Sequence, residues 1–238
     1  MKIGILDADH LSPSIIKKFG CYAERFVHLF SPLPASVSFN RYTVFDCEYP
    51  QSMDECDAYI ITGSQYSTYE DFSWIKQLEE YIRQLHQHKK KLIGICFGHQ
   101  LIAQSLGGKV EKNSQGWEIG ITATHITETR ITDPLDWMQP NREFFFSLVS
   151  HQDHVTRLPE NAINFCSTNL CLYSGFYIDT HILTFQGHPE FSKDYLKLII
   201  KLQSKNLSLK QRQGAKASLQ QSDDHELIAN WIFNFLKT

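Results

Sequence analysis

The 238 residues contain no CxxC pair, no cysteine set at zinc-site spacing, no GxGxxG and no GxxxxGK[ST]. Those absences argue against a thiol–disulfide motif, a structural zinc site, a Rossmann fingerprint and a P-loop. Cysteines do occur, as Cys21, Cys47, Cys56, Cys96, Cys166 and Cys171, and several lie in apolar runs where a reduced, buried thiol is the ordinary outcome. No apolar stretch approaches the roughly 20 residues of a membrane-spanning helix. The opening Met1-Lys2-Ile3-Gly4-Ile5-Leu6 is too short an apolar run for a signal peptide. A soluble protein of the cytoplasm, with no membrane partner, is the expectation. Charge is nearly balanced, with 23 Lys and Arg against 26 Asp and Glu and a net charge of -3, so a nucleic-acid partner is not expected either. His151 and His154 form an HxxH pair without a clear third ligand, so no metal or other cofactor is expected. Internal repeats and a convincing domain boundary are also missing. Residues 1–238 therefore read as one domain, in which the polar stretch Ser204 to Ser222 is expected to be a flexible surface linker.

What is present is an ordinary globular mixture, 42% hydrophobic and 21% charged. Lys2 to Ala8, Arg41 to Cys47, Asp57 to Thr62 and Lys91 to Cys96 read as strands. Pro13 to Lys18, with Ser12 as its cap, reads as a short helix. Apolar residues at helical spacing run from Phe72 to Leu85, and a further helix is expected from Gln100 to Leu106, stopped by Gly107-Gly108. Strand and helix alternation of this kind argues for a largely parallel sheet with helices on both faces. Shorter strand candidates fill the second half as far as Gln186. Ser192 to Leu202 and Asp223 to Leu236 are expected to be helices. The expected fold class is a single-domain α/β, flavodoxin-like three-layer fold with additional antiparallel strands.

One local pattern carries chemistry. Gly94-Ile95-Cys96-Phe97-Gly98-His99-Gln100 follows an apolar strand and precedes a helix, the setting of a nucleophile elbow. The two glycines would clear space for a sharp turn, and a helix N-terminus favours a thiolate. A buried structural cysteine between two packing glycines fits the same letters. A nucleophilic cysteine needs a base and a group to orient it. His188-Pro189-Glu190, after the strand Ile182 to Phe185, offers both; the other reading makes His188 a loop residue and Glu190 a helix N-terminal acid. His99 lies too near Cys96 in sequence for an obvious inward approach, whereas His151 and His154 compete for the role of base. The backbone around Gly63-Ser64 and the N–H of Phe97 could hold an oxyanion.

Taken together these residues resemble the class I, or triad, glutamine amidotransferase family, and in particular stand-alone domains similar to the glutaminase part of GMP synthase. The likeness runs from about Ala58 through Phe191. It takes in Ile61-Thr62-Gly63-Ser64, Tyr69-Glu70-Asp71, the segment around Cys96, Trp117-Glu118-Ile119-Gly120, Ser150-His151-Gln152-Asp153-His154-Val155 and Gln186-Gly187-His188-Pro189-Glu190-Phe191. The resemblance implies Cys96 as nucleophile, His188 as base, Glu190 as orienting acid and the N–H groups of Gly63 and Phe97 as oxyanion donors. It places Gln100, Ser150, His151, Gln152 and Asp153 on the substrate side. Glu118 and Asp153 are candidates to meet a substrate α-ammonium. The expected reaction is hydrolysis of the glutamine side-chain amide through a cysteine thioester. With no synthetase segment beside these motifs, ammonia is expected to pass to a separate acceptor or synthetase protein. A γ-glutamyl peptidase acting on glutathione-like peptides is the alternative, and a non-catalytic interaction protein on the same fold is another.

Overall fold

A computed structural model describes every residue except 33–36, 128, 131–132 and 134. Strands β1 (Lys2–Asp7), β2 (Ser38–Thr43), β3 (Ala58–Ile61), β4 (Lys91–Ile95) and β11 (Ile182–Phe185) pair in parallel in the order β2-β1-β3-β4-β11. That is the strand order of flavodoxin-like sheets. On the far side of β11, β10 (Gly175–Ile178), β9 (Ile163–Ser167), β6 (Glu118–Ile126) and β7 (Phe144–His151) continue antiparallel, giving one sheet of nine strands among the described residues. β5 (Lys109–Lys112) and β8 (Asp153–Arg157) form a separate antiparallel pair.

The central strands are apolar throughout because both faces are covered. In β3, Ile60 points to one face and packs with α2 (Tyr22–Phe30) and α7 (His225–Lys237). Its neighbours Tyr59 and Ile61 point to the other, against α3 (Ser73–Gln87) and α4 (Phe97–Ser105). α3 turns Trp74, Ile75, Leu78, Ile82 and Leu85 inward, a stripe at the 3.6-residue period. A third cluster lies over β6 and β7, where α5 (Lys193–Leu202) and α6 (Leu209–Ser218) bring Leu196, Ile200 and Ala215 onto Ile121 and Leu148. α1 (Pro13–Phe19) adds Ile15 and Phe19 to its margin.

Three elements differ from the sequence reading. The stretch 204–222, expected as a linker, contains α6. Ser208 and Gln211 close a capping box at its start, and Ala215 is buried against the antiparallel strands. β2 lies earlier than Arg41 to Cys47; after Thr43 the chain tightens into a single 3₁₀ turn, Val44–Asp46, which sinks Val44 into the core and ends at Cys47 in the left-handed region. α2 was not foreseen, although Tyr22, Phe26, Leu29 and Phe30 sit at helical spacing and are all buried. Ser12 does precede α1 in an extended conformation, but its hydroxyl pairs with Ser14 and caps no backbone N–H.

Candidate active site

Four chain crossings reach the carboxyl edge of the parallel strands within one cleft: the loops after β1, β3, β4 and β11. Open α/β sheets place ligands at this edge. Cys96 follows β4 directly, with φ 52° and ψ −102°, and α4 begins at the next residue. The turn is held on both sides. Cys96 N–H donates to Phe185 O at 2.9 Å, and Gly98 N–H donates to Thr62 O at 3.2 Å. The second bond draws α4 onto β3 so closely that a Cβ on Gly98 would lie 2.5 Å from Ile61 O. A Cβ on Gly94 would in turn meet the Gly98 carbonyl at 2.8 Å. Steric clearance is thus the reason for both glycines around Cys96. As the first residue of α4, Phe97 has an N–H with no intrahelical acceptor, beside the thiol.

His188 stands across from Cys96. Its Nδ1 is 2.7 Å from Glu190 Oε1, and the histidine and the glutamate are 3% and 6% exposed. Burial alone would push the imidazole toward its neutral form. The charge of Glu190, followed by the charge and hydrogen bonding of Cys96, more than offsets it, so the ring holds its proton well above the ordinary value of 6.5. Phe191 stacks on the ring at 3.8 Å and 13° and fixes its plane. On the other side Gly63 makes room: a Cβ there would be 2.7 Å from His188 Cε1. Thr62 orients that turn, accepting from Ala8 N–H and donating to Gly63 O, both at 2.9 Å.

Gln100, Ser150, His151, Gln152 and Asp153 line the same cleft, an open groove of about 510 Å³. Gln100 Nε2 donates to Asp153 O at 2.8 Å and to Gln186 Oε1 at 3.0 Å, joining α4 to the start of β8. Ser150, His151, Gln152 and Asp153 all face the cleft. The carboxylate of Asp153 accepts from Ser67 Oγ at 2.5 Å and Tyr69 OH at 3.0 Å. Glu118 does not line it. Paired opposite His151 on β6, it lies behind that ring, 3.3 Å from Nε2, and accepts from Thr168 at 3.0 Å.

The competing histidines are otherwise engaged. His151 Nδ1 is 3.0 Å from Asp153 O, and His154 Nδ1 is 3.2 Å from Leu170 O, away from the cleft. His99 is fully buried against Thr184, and burial, with the neighbouring His151, pushes it down to about 3. Burial also raises the thiols of Cys21, Cys166 and Cys171, the last to about 12. Among the described residues no group of three or more His, Cys, Asp or Glu could hold a metal ion, and no helix is long and apolar enough to cross a membrane.

Sequence reasoning missed Asp9, which lines the cleft from the β1 loop and accepts from Gln65 Nε2 at 3.0 Å, tying that loop to the Gly63 turn. It also missed Tyr22, Tyr195 and Lys112. No short motif marks these; they arrive from α2, α5 and β5 through tertiary folding.

Known proteins share this outline. The family description "Glutamine amidotransferase class-I" matches residues 19–198. Gamma-glutamyl peptidase 3 of Arabidopsis thaliana is 32% identical over 95% of this chain and 92% of its own. A glutamine-hydrolyzing GMP synthase component of Sulfolobus acidocaldarius is 30% identical over 59% of this chain and 70% of its own. Among solved structures, a glutamine amidotransferase from Thermotoga maritima superposes with a TM-score of 0.75 at 17% identity, covering 99% of this chain and 96% of that one.

Proposed function

Since the chain belongs to the glutamine amidotransferase class-I family, we propose that it hydrolyses a γ-glutamyl amide through a thioester on Cys96, with a γ-glutamyl peptide as substrate. Cys96 Sγ attacks the δ-carbon while its proton resides on His188. The backbone N–H groups near Gly63 and Phe97 stabilise the oxyanion. As the carbon–nitrogen bond breaks, His188 delivers its proton to the departing amine. Water then attacks the thioester, His188 takes the water's proton, and the carbon–sulfur bond breaks to release glutamate. Glu190 keeps the imidazole in place and favours its cationic form. Gln100 and the Ser150 to Asp153 segment hold the amino-acid end, with the Asp153 carboxylate facing the α-ammonium in place of Glu118.

The likeness to gamma-glutamyl peptidases carries the choice of substrate, and the cleft has room for one. Its 510 Å³ falls within the roughly 300–1,000 Å³ that holds a drug-sized ligand. Free glutamine, whose leaving group is ammonia, would leave much of it empty. This choice reverses the order in which the sequence ranks the two substrates. The test is kcat/KM of the purified protein on glutamine, glutathione and γ-glutamyl dipeptides, with ammonia and released amines measured separately. A γ-glutamyl peptide is expected to be the best substrate, with Cys96→Ala inactive on all. Faster turnover of glutamine, rising when a synthetase is added, would return the assignment to ammonia supply.

A further inference from the structure

Resting on that reading, the cleft has two ends of different character. His188 must protonate the departing nitrogen, so the leaving group passes the imidazole. Polar side chains gather at the other end, where Gln100, Ser150 and Asp153 are joined by Ser67. Beyond His188 the wall is mostly apolar, with Ser12 and Gln203 as polar members. Phe191 stacks on the imidazole, and Tyr195 meets Phe191 edge-on at 4.6 Å. Ile199 and Leu202 follow on the same face of α5, at spacings of four and three residues, and both line the cleft. Leu11 and Ile15 line it from the β1 loop and α1. α5 also carries Lys193, Asp194, Lys197 and Lys201, and α1 carries Lys17 and Lys18, yet none of these lines the cleft. The two helices therefore present only uncharged side chains to it. Leu202 is 56% exposed, a large apolar side chain left open to solvent at the end of this wall.

We infer that this half of the cleft is a leaving-group subsite for an amino acid with a large apolar or aromatic side chain. Preferred substrates are then γ-glutamyl derivatives of leucine- or phenylalanine-like amines. Burying such a side chain gives a gain that the same peptide bond ending in glycine cannot match.

The test compares kcat/KM for γ-glutamyl-glycine, γ-glutamyl-leucine and γ-glutamyl-phenylalanine. Leucine or phenylalanine is expected to exceed glycine by about tenfold or more. Leu202→Asp and Ile199→Ser should bring that ratio toward one, while Lys197→Ser, on the same helix but outside the cleft, keeps it. Leu202 is exposed enough that its variant folds even if Ile199→Ser does not. A wild-type ratio near one, or a ratio untouched by Leu202→Asp, overturns the subsite while leaving the hydrolase reading intact. No turnover of any of the three peptides overturns both.

Discussion

At Cys96 the backbone takes φ 52° and ψ −102°, where a Cβ crowds its own chain and glycine fits best. Such strain costs about 1–3 kcal/mol and persists only where the surroundings over-determine it. Cys96→Ala and Cys96→Gly should both lose turnover, but the glycine variant should be the more stable by about 1–3 kcal/mol in urea unfolding. Equal stability would mean that the elbow is relaxed. Charge at the neighbouring pair makes a second prediction. His188 binds its proton more tightly folded than at its ordinary value of 6.5, so the pair's contribution to stability is full below about pH 6.5. It is lost as pH rises through the raised folded value. Glu190→Gln removes the largest influence raising that value, so the imidazole deprotonates at lower pH. Two readouts should follow: a flatter dependence of stability on pH above 6.5, and an alkaline limb of kcat/KM moved to lower pH. An unmoved limb would show that Glu190 does not govern the ring.

Among the elements, α6 gives the plainest contrast between sequence and structure. Its sole buried residue is Ala215, so no apolar stripe announces it, and only the capping box Ser208-Leu209-Lys210-Gln211 marks its start. Gly214 sits inside it at an unstrained φ, and a Cβ added there would meet nothing within 4 Å. Gly214→Ala should therefore stabilise the protein by about 0.5–1 kcal/mol. Gly98→Ala, by contrast, drives a methyl into Ile61 O and should cost about 1–3 kcal/mol or more while pushing α4 off β3. Thermal melts of the two variants, moving in opposite directions, check both. The parallel half was readable because its strands are continuous apolar runs separated by periodic helices. So were Cys96, Gly63 and His188, each just beyond such a run. The leaving-group wall was not, because Leu11, Ile15 and Ile199 look like ordinary core residues until tertiary packing leaves them at a cleft. Glu118 could not be placed from sequence for a related reason: it shares a sheet face with its cross-strand partner His151, and only the packed structure shows that ring standing between it and the cleft.

For the molecule as a whole, the sheet sets a gradient of protection. β3, β4 and β11 are buried on both faces and paired on both edges, whereas β2 and β7 lie at its margins. Amide hydrogen exchange should be slowest at residues 58–61, 91–95 and 182–185 and faster along β2. Comparable protection across all nine strands would contradict that gradient. The order of those strands also has a consequence in time. β11 sits between β4 and β10, yet it enters the chain long after β4. During synthesis on the ribosome the thiol of Cys96 therefore emerges well ahead of the segment that supplies its imidazole. Until residues 182–190 slot in beside β4, the growing chain carries the Cys96 thiol without its imidazole partner, and on the proposed mechanism reactivity arrives with one of the last strands to be made.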